Sequence, residues 1–180
     1  MNEDIKFLAI NVGVVTISDT RTLENDKSGD VLEKRIKQAG HIVLAREIVQ
    51  DEFKKISSLF SNLIKDKKID VIISTGGTGL TGRDITPEVM ETLFEKSIDG
   101  FGEMFRWMSH RKIGTSALQS RALAGVANGT YIFCLPGSPS ACRDGWDDIL
   151  VHQLDIRHKP CNFVEIMPRL QEHKYFRTKN

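Results

Sequence analysis

Apolar positions along the chain follow two alternating rhythms. Phe7 to Ile17 is a near-continuous apolar run rich in β-branched residues, the pattern of a buried strand. From Ser28 to Ala39 the spacing turns helical. Val31, Leu32, Arg35, Ile36 and Ala39 share a face, Ser28 is the expected cap and Gly40 the expected stop. Ile42 to Val49 predicts a second strand. Phe53 to Lys65 predicts a second helix, with Phe53, Ile56, Leu59, Phe60, Leu63 and Ile64 in one broad stripe and lysines opposite. Asp70 to Thr75 predicts a third strand, apolar at Val71, Ile72 and Ile73, as a strand covered on both faces should be.

The second half continues the alternation. Thr86-Pro87-Glu88 reads as a cap, a first-turn proline and an acid at the positive helix end, opening a helix that runs to about Lys96. Gly100 to Arg111 predicts another, carrying Phe101, Phe105, Trp107 and Met108. Ala122 to Ala127 and Tyr131 to Leu135 flank Asn128-Gly129-Thr130. An Asn-Gly pair between apolar runs predicts a hairpin, because a type I′ turn needs positive φ twice. Ser138 starts a last helix, with Trp146, Ile149, Leu150 and Leu154 on one face. Residues 1–6 and 170–180 are expected to be loose tails. Together these elements predict one three-layer α/β domain across residues 1–180, with a mostly parallel sheet and one antiparallel hairpin.

Composition narrows the function classes without choosing among them. The 180 residues are 40% apolar and 27% charged, with a net charge of +1. Such a balance offers no bulk field for nucleic acid or anionic lipid. Cys134, Cys142 and Cys161 are odd in number and lack a C-x-x-C pair, which predicts reduced thiols in a cytoplasmic protein. Glu3 and Asp4, with no long apolar run behind them, argue against a signal peptide. No stretch approaches the ~18 apolar residues of a membrane helix. His110, His152, His158 and His173 lack any ligand spacing and read as surface residues.

The strand ends carry the candidate chemistry. In open α/β sheets, ligands bind beyond the carboxyl ends of the strands. Here those ends are Thr16-Ile17-Ser18-Asp19, Val49-Gln50-Asp51, Thr75-Gly76-Gly77-Thr78-Gly79 and Leu135-Pro136-Gly137-Ser138, all with small, hydroxyl or acidic residues. Gly76, Gly77 and Gly79 let backbone N–H groups approach an anion, and Thr75 and Thr78 add hydroxyls. Neither Walker A nor G-x-G-x-x-G spacing is present. A tight strand-to-helix turn would use the same glycines. Asp84 reads either as a cap for the helix at Thr86 or as a Mg²⁺ ligand beside a phosphate loop. Asp51 reads either as a cap for the helix at Phe53 or as a second carboxylate across the site. Arg83 reads as a phosphate contact or a surface residue. Pro136-Gly137-Ser138-Pro139 offers amides at a helix start, or a plain turn and cap.

These segments, in order, carry a resemblance. Thr75–Gly79, Arg83-Asp84-Ile85-Thr86-Pro87-Glu88, Gly100-Phe101-Gly102-Glu103 and Leu135–Ser138 are similar to the motifs of the molybdenum cofactor biosynthesis MoaB/MogA family. The likeness runs from about Phe7 to Met167, and Ile113–Arg121 and Lys159–Phe163 look closest to its B branch. The resemblance implies the molybdopterin-binding α/β fold and binding of molybdopterin. It further implies transfer of AMP from ATP to the pterin's terminal phosphate with Mg²⁺, releasing pyrophosphate. ATP is then a substrate, and no permanently bound cofactor is expected. By position, the resemblance makes Asp51 and Asp84 the catalytic, metal-associated acids. It places Ser18, Asp19, Ser28, Gly29, Thr86, Glu103, Ser120, Pro136, Gly137 and Ser138, with the glycine loop, in the nucleotide and pterin pockets. It implies homotrimers or homohexamers, and other enzymes of the pathway as partners; the aromatic Phe101–Trp107 segment reads as an interface, since aromatics and Met are enriched in interface cores. Some B-branch members bind pterin without efficient adenylylation, so a non-catalytic carrier or scaffold is the alternative.

Overall fold

A computed structural model describes residues 5–176. Six strands form one sheet in the order β2-β1-β3-β6-β5-β4, where β1 is Asn11–Ile17, β2 Ile42–Val49, β3 Val71–Thr75, β4 Lys96–Ser97, β5 Leu123–Ala127 and β6 Thr130–Leu135. The pairs β1–β2, β1–β3 and β3–β6 are parallel, while β5–β6 and β4–β5 are antiparallel. The sheet is therefore mostly parallel, as the alternation predicts.

Period-two alternation sorts side chains onto two faces. Val12, Val14, Val71, Ile73, Tyr131, Phe133 and Leu135 pack against helices α1 (Lys27–Gln38), α4 (Asp99–Ile113) and α5 (Pro139–Gly145). Val15, Ile17, Ile72, Ile132 and Cys134 pack against α2 (Phe53–Lys65) and α3 (Thr86–Leu93). Helices cover both faces because both faces of the parallel strands are apolar. The Asn-Gly turn adopts the expected geometry, with φ of 51° at Asn128 and 85° at Gly129; Thr130 belongs to β6.

Several expectations shift. β1 begins at Asn11, and Phe7 instead lays its ring near Gly40 and against His41. The cap of α1 is Asp26, whose carboxylate accepts from the Gly29 amide at 3.0 Å; the Ser28 hydroxyl donates to the Gly137 carbonyl instead. α3 stops at Leu93, and its Thr86 lies inside the first turn with no side-chain cap. Lys96–Ser97 then adds the short edge strand β4 beside β5, so the antiparallel portion exceeds one hairpin. Two exposed residues carry no alternation from which to read a strand. In α4, Phe101 and Phe105 are buried, but Trp107 is 58% exposed with the Arg111 guanidinium 3.8 Å over its ring.

The helix begun at Ser138 continues from α5 through a π-helical stretch, Trp146–Leu150, into α6 (Val151–Gln153). Two short helices follow, α7 (Phe163–Ile166) and α8 (Glu172–Phe176). Leu170, expected in a loose tail, packs against the core, and Gln171 donates to the Asn128 side chain at 2.9 Å. The remaining tail residues, 1–4 and 177–180, lie outside the described residues. Among the described residues no helix is long and apolar enough to cross a membrane.

Candidate functional site

The chain reverses direction across the sheet at β1. From β1 it passes through α1 on one face to β2, then returns through α2 on the other face to β3, on the far side of β1. Such a reversal parts the loops beyond the carboxyl ends of β1 and β3 and opens a crevice there. A cleft of about 610 Å³ occupies that position. Its walls come from the ends of β1, β3 and β6, the start of α1, Asp51, Asp84, and the inner side of α4 with the 3₁₀ turn Gly114–Gln119.

Glycine is required in the loop for stated reasons. Gly76 has φ of 104° and Gly77 of 65°, a region L side chains rarely adopt. A Cβ on Gly76 would stand 2.1 Å from the Ile17 carbonyl oxygen. On Gly77 it would stand 2.2 Å from the Thr86 hydroxyl and 2.7 Å from Asp51 Oδ1. The Gly76 amide is tied to the Leu135 carbonyl at 3.0 Å, and a Cβ on Gly137 would touch the Gly76 backbone at 3.4 Å. The two turns thus form one packed floor. The Thr75 hydroxyl is committed within the floor, donating to the Pro136 carbonyl at 2.8 Å.

The two acids differ in environment. Neither caps a helix: α2 and α3 start at Glu52 and Ile85 without side-chain caps. Asp51 Oδ1 is buried with no hydrogen-bond partner. Burial lifts the Asp51 carboxyl above its ordinary pKa, and the charges of Asp19 and Asp84 push the same way. Burial also acts on Asp84, but is outweighed by the Thr81 hydroxyl and amide, the Gly79 amide and the charge of Arg121, so its pKa falls. The Thr81 hydroxyl and amide donate to Asp84 Oδ2 at 2.6 and 2.9 Å.

Charge in the cleft is unbalanced. Asp26, Asp51, Asp84 and Asp144 line it, against Arg21 and Lys112. Asp26 is paired with Arg46 at 2.7 Å, and Asp144 with Lys112 at 2.7 Å. Asp51 and Asp84 have no ion-pair partner among the described residues. An orphaned buried oxygen and two carboxylates without ion-pair partners among the described residues suit a hard divalent cation, and Mg²⁺ needs few protein ligands when substrate phosphates supply the rest.

The fold brings most of the expected residues together. Ser18, Ser28, Asp51, Thr75 to Gly79, Asp84, Ser120, Pro136, Gly137 and Ser138 all line the cleft. Ser138 spends its side chain capping α5, accepting from the Ala141 amide at 3.1 Å. Four expected residues lie off the wall. Asp19 sits outside it, bonded to Arg83 at 2.7 Å and accepting from the Asp51 amide at 3.2 Å. Gly29 lies beneath it, where a Cβ would clash with Asp26 and Arg46. Thr86 is buried under the loop, its hydroxyl donating to the Gly76 carbonyl. Glu103 faces a separate depression with Glu91, Asp99 and Arg106.

Other lining residues escaped the sequence reading. Asp26 stands three residues before the Gly29 amide it caps, a spacing that signals a cap had Ser28 not been preferred. Phe105, Ser109, Lys112 and Ser116 lie along α4 and the 3₁₀ turn, and nothing in their spacing marks one side of that helix as a cleft wall.

Comparison with known proteins fits this geometry. The family described as "Probable molybdopterin binding domain" matches residues 13–156. The chain is 45% identical over 158 residues to molybdenum cofactor biosynthesis protein B of Escherichia coli (strain K12), covering 88% of this chain and 93% of that one. A crystal structure of a molybdenum cofactor biosynthesis protein B superposes with a TM-score of 0.83 at 37% identity, covering 92% and 98% of the two chains. The tungsten cofactor synthesizing protein MoaB from Pyrococcus furiosus superposes at 0.68 with 36% identity, covering 79% and 91%. The chain belongs to the molybdopterin-binding domain family of molybdenum cofactor biosynthesis proteins.

Proposed function

We propose that this protein acts in molybdenum cofactor biosynthesis, where it binds molybdopterin and adenylylates its terminal phosphate with Mg-ATP. The observation that carries this reading is the pair Asp51 and Asp84, without ion-pair partners among the described residues, beside a glycine floor at the topological switch point. In the reaction a terminal phosphate oxygen of the pterin attacks the α-phosphorus of ATP. The bond from that phosphorus to the β-phosphate's bridging oxygen breaks, and pyrophosphate leaves.

The chain's own part is positioning and charge placement, which is most of what phosphoryl-type transfer asks of a protein. Amides of the glycine floor hold the phosphate, and α4 with its 3₁₀ turn walls the cleft from the side. Asp51 and Asp84 would hold Mg²⁺, which neutralises charge on the phosphates when bound. Arg21 and Lys112 are the cations able to reach an anionic ligand from the cleft walls. Three free cysteines suit a cytoplasmic setting.

The test is a single-turnover assay with purified protein, molybdopterin, ATP and Mg²⁺. Adenylylated pterin and pyrophosphate should form, and Asp84→Ala should abolish both. Tight pterin binding without any nucleotide product would instead establish a carrier or scaffold. Robust turnover by Asp84→Ala would remove that residue from the mechanism.

A further inference from the structure

Four consecutive carbonyls of the glycine loop are occupied by internal donors. The Thr86 hydroxyl donates to the Gly76 carbonyl and the Thr86 amide to that of Gly77, each at 3.0 Å. The Arg121 amide donates to the Thr78 carbonyl at 3.0 Å, and Arg121 Nε to that of Gly79 at 2.7 Å. The same guanidinium reaches further. Its Nη2 donates to the Asp84 carbonyl at 2.7 Å, and its Nη1 pairs with Glu88 in the first turn of α3. Among the described residues, no acceptor meets the amides of Gly77 and Thr78.

We propose that Arg121 is a positioning residue that sets the polarity of this loop and locks it to Asp84. Peptides flanked by glycine face little steric resistance to rotation, and a rotated peptide would aim its carbonyl oxygen at the cleft. An oxygen there repels an anion; an N–H attracts one. Arg121 and Thr86 hold these four carbonyls back and leave the amides of Gly77 and Thr78 for the ligand. Because one planar guanidinium grips both Gly79 and Asp84, the amides and the carboxylate keep a single geometry. Lysine, a point charge without that fork, cannot hold two carbonyls and Glu88 together. The identity of the anion rests on the function proposed above; the clamp itself does not.

Hydrogen exchange tests the clamp without any ligand. In Arg121→Gln and Arg121→Lys, the bonded amides of Thr81, Asp84 and Thr86 should exchange at least about tenfold faster, while β1 and α2 are unchanged. Wild-type exchange in both variants overturns the proposal, and if Arg121→Gln fails to fold, Arg121→Lys decides. Titration with molybdopterin gives a second arm. Affinity should fall about 10–100-fold in Arg121→Gln, the loss expected for charged hydrogen bonds of ~1.5–3 kcal/mol. Unchanged affinity in that variant overturns the proposal. Absence of binding to the wild-type protein overturns the proposed function, and the exchange result then judges the clamp alone. Guanidinium ion at low, non-denaturing concentration should restore binding to Arg121→Ala, which general destabilisation would not permit; no restoration overturns the positioning role.

Discussion

Asp51 is kept at a cost. A buried carboxylate oxygen without a partner is unfavourable in the folded protein, and like charges at Asp19 and Asp84 add to it. The sign follows from linkage. A carboxyl whose pKa is raised on folding opposes the fold at pH values above that raised pKa. The penalty fades as pH falls and vanishes below its ordinary value of 3.8, where folded and unfolded chains both carry the proton. Asp51→Asn should therefore raise Tm at neutral pH by about 2–4 °C, the size of ~1 kcal/mol in a chain of this length. The gain should shrink in acid, and under the proposed adenylylation turnover should be lost. Thermal scans across pH would check it; a lower Tm for Asp51→Asn at pH 7 would contradict this account. Stability given up for function is common at such sites.

At the scale of elements, the start of α1 is the most constrained point of the cleft. Asp26 is 1% exposed, caps the helix, accepts from the Thr16 hydroxyl at 2.6 Å and pairs with Arg46 on β2. One carboxylate thereby joins β1, β2 and α1. Burial alone would raise its pKa, but Thr16, Gly29 and Arg46 outweigh it and the pKa falls. Its contribution is thus present above pH 3.8 and lost as pH drops through the lowered folded value. Removing one partner of a buried pair leaves the other charge stranded. Arg46 keeps Asp30 and Glu33, so Asp26→Ala should cost about 3 kcal/mol, the lower end for such losses. Urea unfolding at pH 7 would measure it, and a cost below about 1 kcal/mol would show the pair to be incidental. The sequence located α1 itself, since its apolar spacing is unambiguous. It misplaced the cap, because Ser28 and Asp26 are both good cap residues and only the contact with Gly137 and Arg46 separates their roles.

For the whole molecule, the outer side of α4 and the loops beside the cleft leave apolar surface uncovered. Met104, Trp107, Ile113, Leu118 and Leu80 are 50–81% exposed. Large apolar side chains left exposed together on one helix, as Met104 and Trp107 are on α4, suit an interface. The family resemblance implies a homotrimer or homohexamer, and on that reading sedimentation equilibrium should return three or six times the 20.3 kDa of one chain. A monomer at micromolar concentration would refute it. Trp107→Glu should shift the equilibrium toward smaller species while leaving the core intact, because its ring faces outward.

Local pattern alone determined the rhythm of strands and helices, the I′ hairpin at Asn128-Gly129, and the strand ends at which small and acidic residues gather. Those features depend on neighbours a few residues apart, so spacing suffices to read them. The tertiary structure decided what spacing cannot reach. It assigned Glu103 to a different depression, committed the Thr75 hydroxyl to the Pro136 carbonyl and set Thr86 beneath the floor. It also brought Arg121 onto the glycine loop from 42 residues away. The polarity of that loop is a property of contacts between β3, α3 and the lead into β5, and such contacts exist only once the sheet has brought them together.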